Sequence, residues 1–181
     1  MGYTTDFSGS LEIKRPLTKK QVEYINLLSS TRRMARDVNK LMELYKGKHG
    51  NPFAKDKTNA IEVYGNQGQF FARDDGQCGQ SEDGTIRDYN SPGRNVQPGL
   101  WCQWVVSEDG KYLEWDGGEK FYNYVEWLRY LIENFFKPWG RKLSGEIEWY
   151  GEDRSDIGKI VVKNNVVKTM AGEVTFGDED E

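Results

Sequence analysis

Phe121, Tyr124, Val125, Leu128, Leu131, Ile132, Phe135 and Trp139 recur at helical spacing and lay a broad apolar stripe along one segment. Such a stripe must be buried against a wide apolar surface, and a sheet face is the common provider. Asp116 stands as an N-cap, and Pro138 with Gly140 marks the end, so a long helix is predicted through 121–136. Only 36% of the 181 residues are hydrophobic, yet 13% are aromatic. The core is therefore expected to be built from a few large rings, each burying much area. One domain is the simplest organisation at this length.

The rest of the pattern supplies strands and a second helix. Tyr3, Thr5, Phe7, Leu11 and Ile13 mostly alternate with polar residues, as in a strand with one buried face, and Pro16 stops it. Thr18 and Gln21 form a capping box, Leu17 and Val22 a hydrophobic staple, and Val22, Ile25 and Leu28 the buried stripe of a first helix. The spacing falters through Ser29–Arg33 and resumes at Val38, Leu41, Met42 and Tyr45. Leu100–Val106 reads as a central strand that turns at Asp109-Gly110 into Tyr112–Trp115. Leu143–Trp149, Lys159–Lys163 and Val166–Thr169 read as further strands, the last pair joined at Asn164-Asn165. Between Gly47 and Gly99 the chain is dense in Gly, Asn, Asp and Gln. There Ile61–Tyr64 and Gln69–Arg73 read as a short hairpin around Gly65-Asn66-Gln67-Gly68, and the remainder as loop.

The order β-α-(insert)-β-β-α-β-β-β predicts a single α+β domain over 1–176. Its antiparallel sheet has a ferredoxin-like split β-α-β with extra C-terminal strands, backed by two main helices. The insert at about 47–99 is peripheral, and 177–181 form an acidic tail expected to fray.

Net charge is −4 but uneven: from Lys14 to Lys48, ten basic residues face three acids, a net of +7, which leaves −11 elsewhere. A solvated basic helix face accounts for most such runs. The −11 remainder repels a polyanion, and neither a recognition-helix motif nor alternating base-stacking aromatics accompanies the run, so no strong nucleic-acid binding is expected. Arg32 and Arg33 are expected to anchor acids, in this chain or on a protein partner. No apolar run matches a membrane span, and Cys78 with Cys102 have no metal-type spacing, so a cytoplasmic protein with reduced thiols is expected, with no membrane role.

Catalytic motifs are weak. His49 is the only histidine and has no nucleophile motif beside it, which argues against a triad or a multi-histidine metal site. The carboxylate groups Glu114 with Asp116, Glu146 with Glu148, and Glu152 with Asp153 and Asp156 are equally well read as solvent-facing acids. No catalytic residue, metal or cofactor is assigned. Candidate binding residues are Arg87, Asp88, Tyr89 and Asn90 in the long loop, Trp101 and Gln103, and a second helical stripe of Asn123, Trp127, Tyr130 and Asn134. That stripe either packs against neighbouring structure or offers an aromatic and amide surface to a protein. Asp116 and Lys120, with Arg32 and Arg33, furnish an alternative in which the 116–119 turn and the cations hold a phosphate or nucleotide.

The segments GYTTDFSG, STRRM, RDYN, QPGLWCQWV, EWDGGEKFYNYVEWLRYLIENFFKPWG and GEDRSDIGKIVVKNNVV resemble a family of uncharacterised small proteins of bacteria and bacteriophages. The resemblance spans Gly2 to about Val167, with the region Arg36–Tyr64 longer here. It implies a phage or mobile-element setting, and with it a non-enzymatic protein that binds and modulates a host protein or complex as a host-takeover or anti-defence inhibitor in the bacterial cytoplasm. The alternative is a small nucleotide- or anion-binding, or nucleotide-processing, protein.

Overall fold

The computed structural model describes residues 2–177, so beyond Gly177 the acidic tail lies outside the described residues. The sheet is organised around β1 (Thr5–Lys14). Along its whole length β1 pairs antiparallel with β6 (Lys142–Gly151), from Thr5↔Gly151 to Lys14↔Lys142. On its other side it meets β5 (Tyr112–Trp115) through Leu11↔Leu113. With β4 (Trp104–Val106), β7 (Ile157–Lys163) and β8 (Val166–Ala171) the order is β4-β5-β1-β6-β7-β8, all antiparallel. The first four positions follow the ferredoxin-like split β-α-β, and β7 and β8 extend it. A separate ribbon pairs β2 (Ala35–Arg36) with β3 (Ile86–Asp88).

α1 (Lys19–Ser30) starts at the expected capping box, in which Thr18 accepts from the Gln21 N–H and Gln21 reaches back to the Thr18 N–H. Ile25 and Leu28 on α1, Leu128 and Leu131 on α4 (Tyr124–Leu131), and Leu11, Ile13, Leu113, Leu143, Ile147 and Ile160 from the sheet form one buried cluster. Both helices thus cover the same sheet face. Trp104 and Phe7 add edge-to-face ring contacts at 5.4 Å, so rings fill much of that layer.

The predicted second helix is present but begins later. Asp116 Oδ1 accepts from the Gly118 N–H instead, and Gly117, Lys120 and Asn123 hold left-handed φ of 82, 60 and 55°, conformations that no helix accommodates. Asn123 is the N-cap. After Leu131 the chain continues as a π-helical turn, Ile132–Phe136, in which the Lys137 N–H donates to the Ile132 carbonyl at 2.9 Å. The wider turn lets the adjacent Phe135 and Phe136 both reach the core.

Two expectations for loops and strands are corrected. Leu100–Gln103 is not strand, because the Leu100 carbonyl is taken by the Arg33 N–H at 2.8 Å. The hairpin at 61–73 is absent. Asn59 caps α3 (Ala60–Tyr64) by accepting from the Ile61 and Glu62 N–H groups, and a 3-10 turn follows at Asn66–Gly68. Outside 61–73 the insert is turns and loop as expected, with β3 its one regular element among the described residues, yet it packs on structure beside it. α2 (Val38–Tyr45), capped by Asp37, joins α3 over a second core of Leu41, Ala54, Val63, Tyr64 and Phe71. No helix among the described residues is long and apolar enough to cross a membrane.

Candidate binding site

The site grows from the chain that leaves α1. Arg32, Arg33 and Arg36 each reach into a different stretch of the insert and hold it by its oxygens. Arg33 is fully buried. Its Nε donates to Gln97 Oε1 at 2.9 Å and its Nη2 to the Gln69 carbonyl at 2.7 Å, while Nη1 donates to the Phe71 and Leu28 carbonyls. Arg33 therefore anchors carbonyl and amide oxygens, not an acid as expected, and among the described residues it forms no ion pair. Burial pulls its pKa below the ordinary value, with the Tyr130 and Tyr24 hydroxyls opposing. Arg36 lies 4.1 Å above the Phe71 ring and donates to Thr85 Oγ1 and the Gly79 carbonyl at 2.7 Å each, and to Asp83 at 3.1 Å. Burial drives Asp83 upward, but its bonds from Tyr45 and Thr85 and the Arg36 charge win, so it titrates below the usual carboxylate value. Tyr45 is raised to about 12 by burial and by that carboxylate.

Arg32 points outward. Its guanidinium sits 4.4 Å from the Tyr89 ring and 5.9 Å from that of Trp101, with Nε on the Tyr89 carbonyl at 3.1 Å and Nη2 near Asn90 Oδ1 at 3.4 Å. Tyr89 stays 45% exposed. Trp101 belongs also to the wall of an adjoining cavity of about 460 Å3, where Gln103, Lys120 and Asn123 meet it. Gly99, Leu100, Glu119 and Tyr122 complete the lining; Glu119 belongs to the turn weighed for phosphate, whereas Gly99, Leu100 and Tyr122 are not among the candidates, because strand or helix periodicity says nothing of which residues line a cavity. The polar walls are themselves positioned. Gln103 donates to the Glu119 carbonyl at 2.8 Å and accepts from Trp115 Nε1 at 3.1 Å, and Asn123 donates to the Pro98 carbonyl at 2.7 Å.

The remaining candidates are dispersed. Asp116 flanks the cavity, its N–H on the Gln103 carbonyl at 3.0 Å, and partial desolvation holds its carboxyl above the ordinary value. Asp88 accepts from the Asn90 N–H at 2.9 Å and shapes the loop. Arg87 lies in a separate polar groove of about 510 Å3 with Asp37, Asn39 and Gln67. Trp127 is 0% exposed, and its indole N–H has no hydrogen-bond acceptor among the described residues. A Cβ on Gly99 would stand 3.6 Å from that nitrogen and from Asn123 Nδ2, which places Trp127 directly behind the cavity wall. Tyr130 is half-buried and donates to Gln69 Oε1 at 2.9 Å. The second helical stripe thus divides: Trp127 and Tyr130 are packing and seat the insert, while Asn123 stands in the cavity wall.

Several other titratable groups have structural occupations. Glu146 pairs with Lys159 at 2.9 Å, Glu148 accepts from the Tyr150 hydroxyl, and Asp156 accepts from Tyr3 at 2.7 Å and Trp149 at 3.0 Å. Burial and the Arg73 charge depress His49, whose ring stands edge-on to Tyr45 at 5.1 Å. Among the described residues no group of three or more His, Cys, Asp or Glu side chains is placed to hold a metal ion. Comparison with known proteins gives no match to a family model, a curated protein or a solved structure.

Proposed function

We propose that this is a non-enzymatic binding protein of a phage or mobile element that engages a host protein through the face formed by Tyr89, Arg32, Trp101 and the cavity beside them. One observation carries the reading: residues from four distant stretches meet there as an arginine lying on two rings beside a concavity. The cavity has apolar walls and fixed amides. Arginine and large aromatics are the residues enriched at the energetic centres of protein interfaces. The concavity is of a size to admit a projecting side chain or turn, with Gln103, Lys120 and Asn123 available to orient it. Modulation of the host protein follows from occupancy of its surface. The mobile-element setting, and with it the inhibitor or anti-defence role, is supported by the resemblance of the sequence segments alone.

Capture from bacterial lysate tests this. Tyr89→Ala with Trp101→Ala is expected to lose a partner that the parent and Tyr112→Ala, changed on the other sheet face, both retain. The interaction should be restored with the purified partner. Equal retention by the double variant, or nucleotide turnover by the purified chain, would sink the reading. The nucleotide or anion alternative has less to build with at the 116–119 turn, since the donors of Arg33 are engaged and the Gly118 N–H is taken by Asp116. A nucleotide that raises the melting temperature in the parent but not in Lys120→Ala would favour it.

A further inference from the structure

A different corner of the sheet concentrates cations that no ion pair among the described residues neutralises. β1 ends at Lys14 and β6 starts at Lys142, and the register makes the two direct cross-strand partners. Like charges so opposed repel, and a stable fold gains nothing from the pairing by itself. The next residue, Arg15, is held at φ 60°, a left-handed conformation that a long side chain adopts only under constraint. Its Nη2 donates to the Gly140 carbonyl at 2.7 Å, which fixes the guanidinium at this end of the sheet.

Lys14, Arg15, Gly140 and Lys142 wall a depression of about 230 Å3. None of the ion pairs among the described residues includes any of these cations. Glu12, the acid nearest to Lys14 on the same face of β1, stands opposite Ser144 and is in none of those pairs either. Between Gly140 and Lys142, Arg141 buries its Nε without an acceptor while Nη1 donates to the Trp139 carbonyl at 3.0 Å.

The geometry points to a binding site for a phosphate or diphosphate group in the depression of Lys14, Arg15 and Lys142. A multiply charged oxyanion between the paired lysines converts their repulsion into attraction, and the N–H groups of Arg15 not spent on Gly140 present a fork that suits phosphate oxygens. The depression is smaller than the cavities that enclose whole drug-sized ligands, so any nucleoside attached to the phosphates lies outside it. The site is independent of the face proposed for a protein partner.

Thermal unfolding of the full chain in about 25 mM salt, where surface charges are weakly screened, tests this. Pyrophosphate at tenfold its Kd should raise the melting temperature by about 3–5 °C, and sulfate at matched ionic strength should not. Lys142→Gln should melt no lower than the parent without ligand, because the repulsion is gone, and should lose the pyrophosphate response. Arg15→Gln should lose it too, whereas Lys168→Gln should keep it. Should Lys142→Gln not fold, Lys14→Gln removes the same pair. ATP matching tripolyphosphate would make free polyphosphate a sufficient ligand, and tighter binding of ATP would make a nucleotide the source. No shift with pyrophosphate, or one unchanged in Lys142→Gln or equalled by sulfate, overturns the assignment.

Discussion

A fully buried guanidinium without an acid is costly, and Arg33 is kept charged by numerous oxygens rather than by an opposite charge. Its planar fork meets oxygens of Gln97, Gln69, Phe71 and Leu28 at once. Arg33→Met should therefore destabilise by about 3–5 kcal/mol and Arg33→Lys by about 2–4 kcal/mol, since an ammonium cannot reach all four oxygens. Urea unfolding checks both, with exposed Lys20→Met as a control; an Arg33→Met variant as stable as the parent would show the contacts to be incidental. Thiol chemistry offers a second residue-scale expectation. Cys102 is buried and raised to about 12, first by desolvation, so near pH 8 only Cys78, which is exposed, should react with a thiol reagent in the native chain. Labelling of both without denaturant would contradict this placement.

The elements divide sharply in how visible they are in the sequence. β1, the capping box of α1, the body of α4 and the β7–β8 hairpin follow from periodicity and local chemistry; Asn164 and Asn165 indeed hold φ of 47 and 71°. The insert does not follow, because its stability comes from arginine-to-carbonyl bonds and side-chain caps that leave no period. The same limit applies to the site. Asn123 follows from helical spacing and Lys120 from the glycine turn before the helix, whereas nothing in the pattern marks Tyr122 or Leu100 as cavity lining, and the burial of Trp127 depends on where Gly99 comes to rest. The insert has its own acid sensitivity. Asp83 titrates below its ordinary 3.8 in the folded chain, so its contribution is complete above about pH 5 and is lost as pH falls through that lowered value. Asp75 is also held low: desolvation opposes, but bonds from the Ser81, Gln77 and Gly79 N–H groups prevail. Amides of 79–85 should thus lose exchange protection on acidification before those of β6. Asp83→Asn should destabilise at pH 7, and its difference from the parent should shrink as pH falls through the lowered value. A difference independent of pH would remove the carboxylate from the account.

Across the whole molecule the two sheet edges are treated differently. At β4, Asn26 of α1 donates to the Val106 carbonyl at 2.9 Å and accepts from its N–H at 2.8 Å, and Ser29 donates to the Trp104 carbonyl at 2.6 Å. That edge is satisfied by a helix. β8 is the other edge, with Val166, Lys168 and Met170 exposed. Asn26→Leu should leave two backbone groups unpaired and cost about 1–3 kcal/mol in urea unfolding, against less than about 0.5 kcal/mol for Lys168→Leu at the open edge. Similar losses at both would mean that the helix does not guard the sheet. The central ladder has a further consequence, for synthesis. β1 finds its full-length partner only in β6, roughly 130 residues later, and a ribosome adding about 5–20 residues per second takes on the order of ten seconds to provide it. During that interval the strand that will become the middle of the sheet is an unpaired edge. Its Gly9 and charged Asp6 and Glu12 are therefore as much a defence of the nascent chain against its neighbours on the polysome as features of the finished fold.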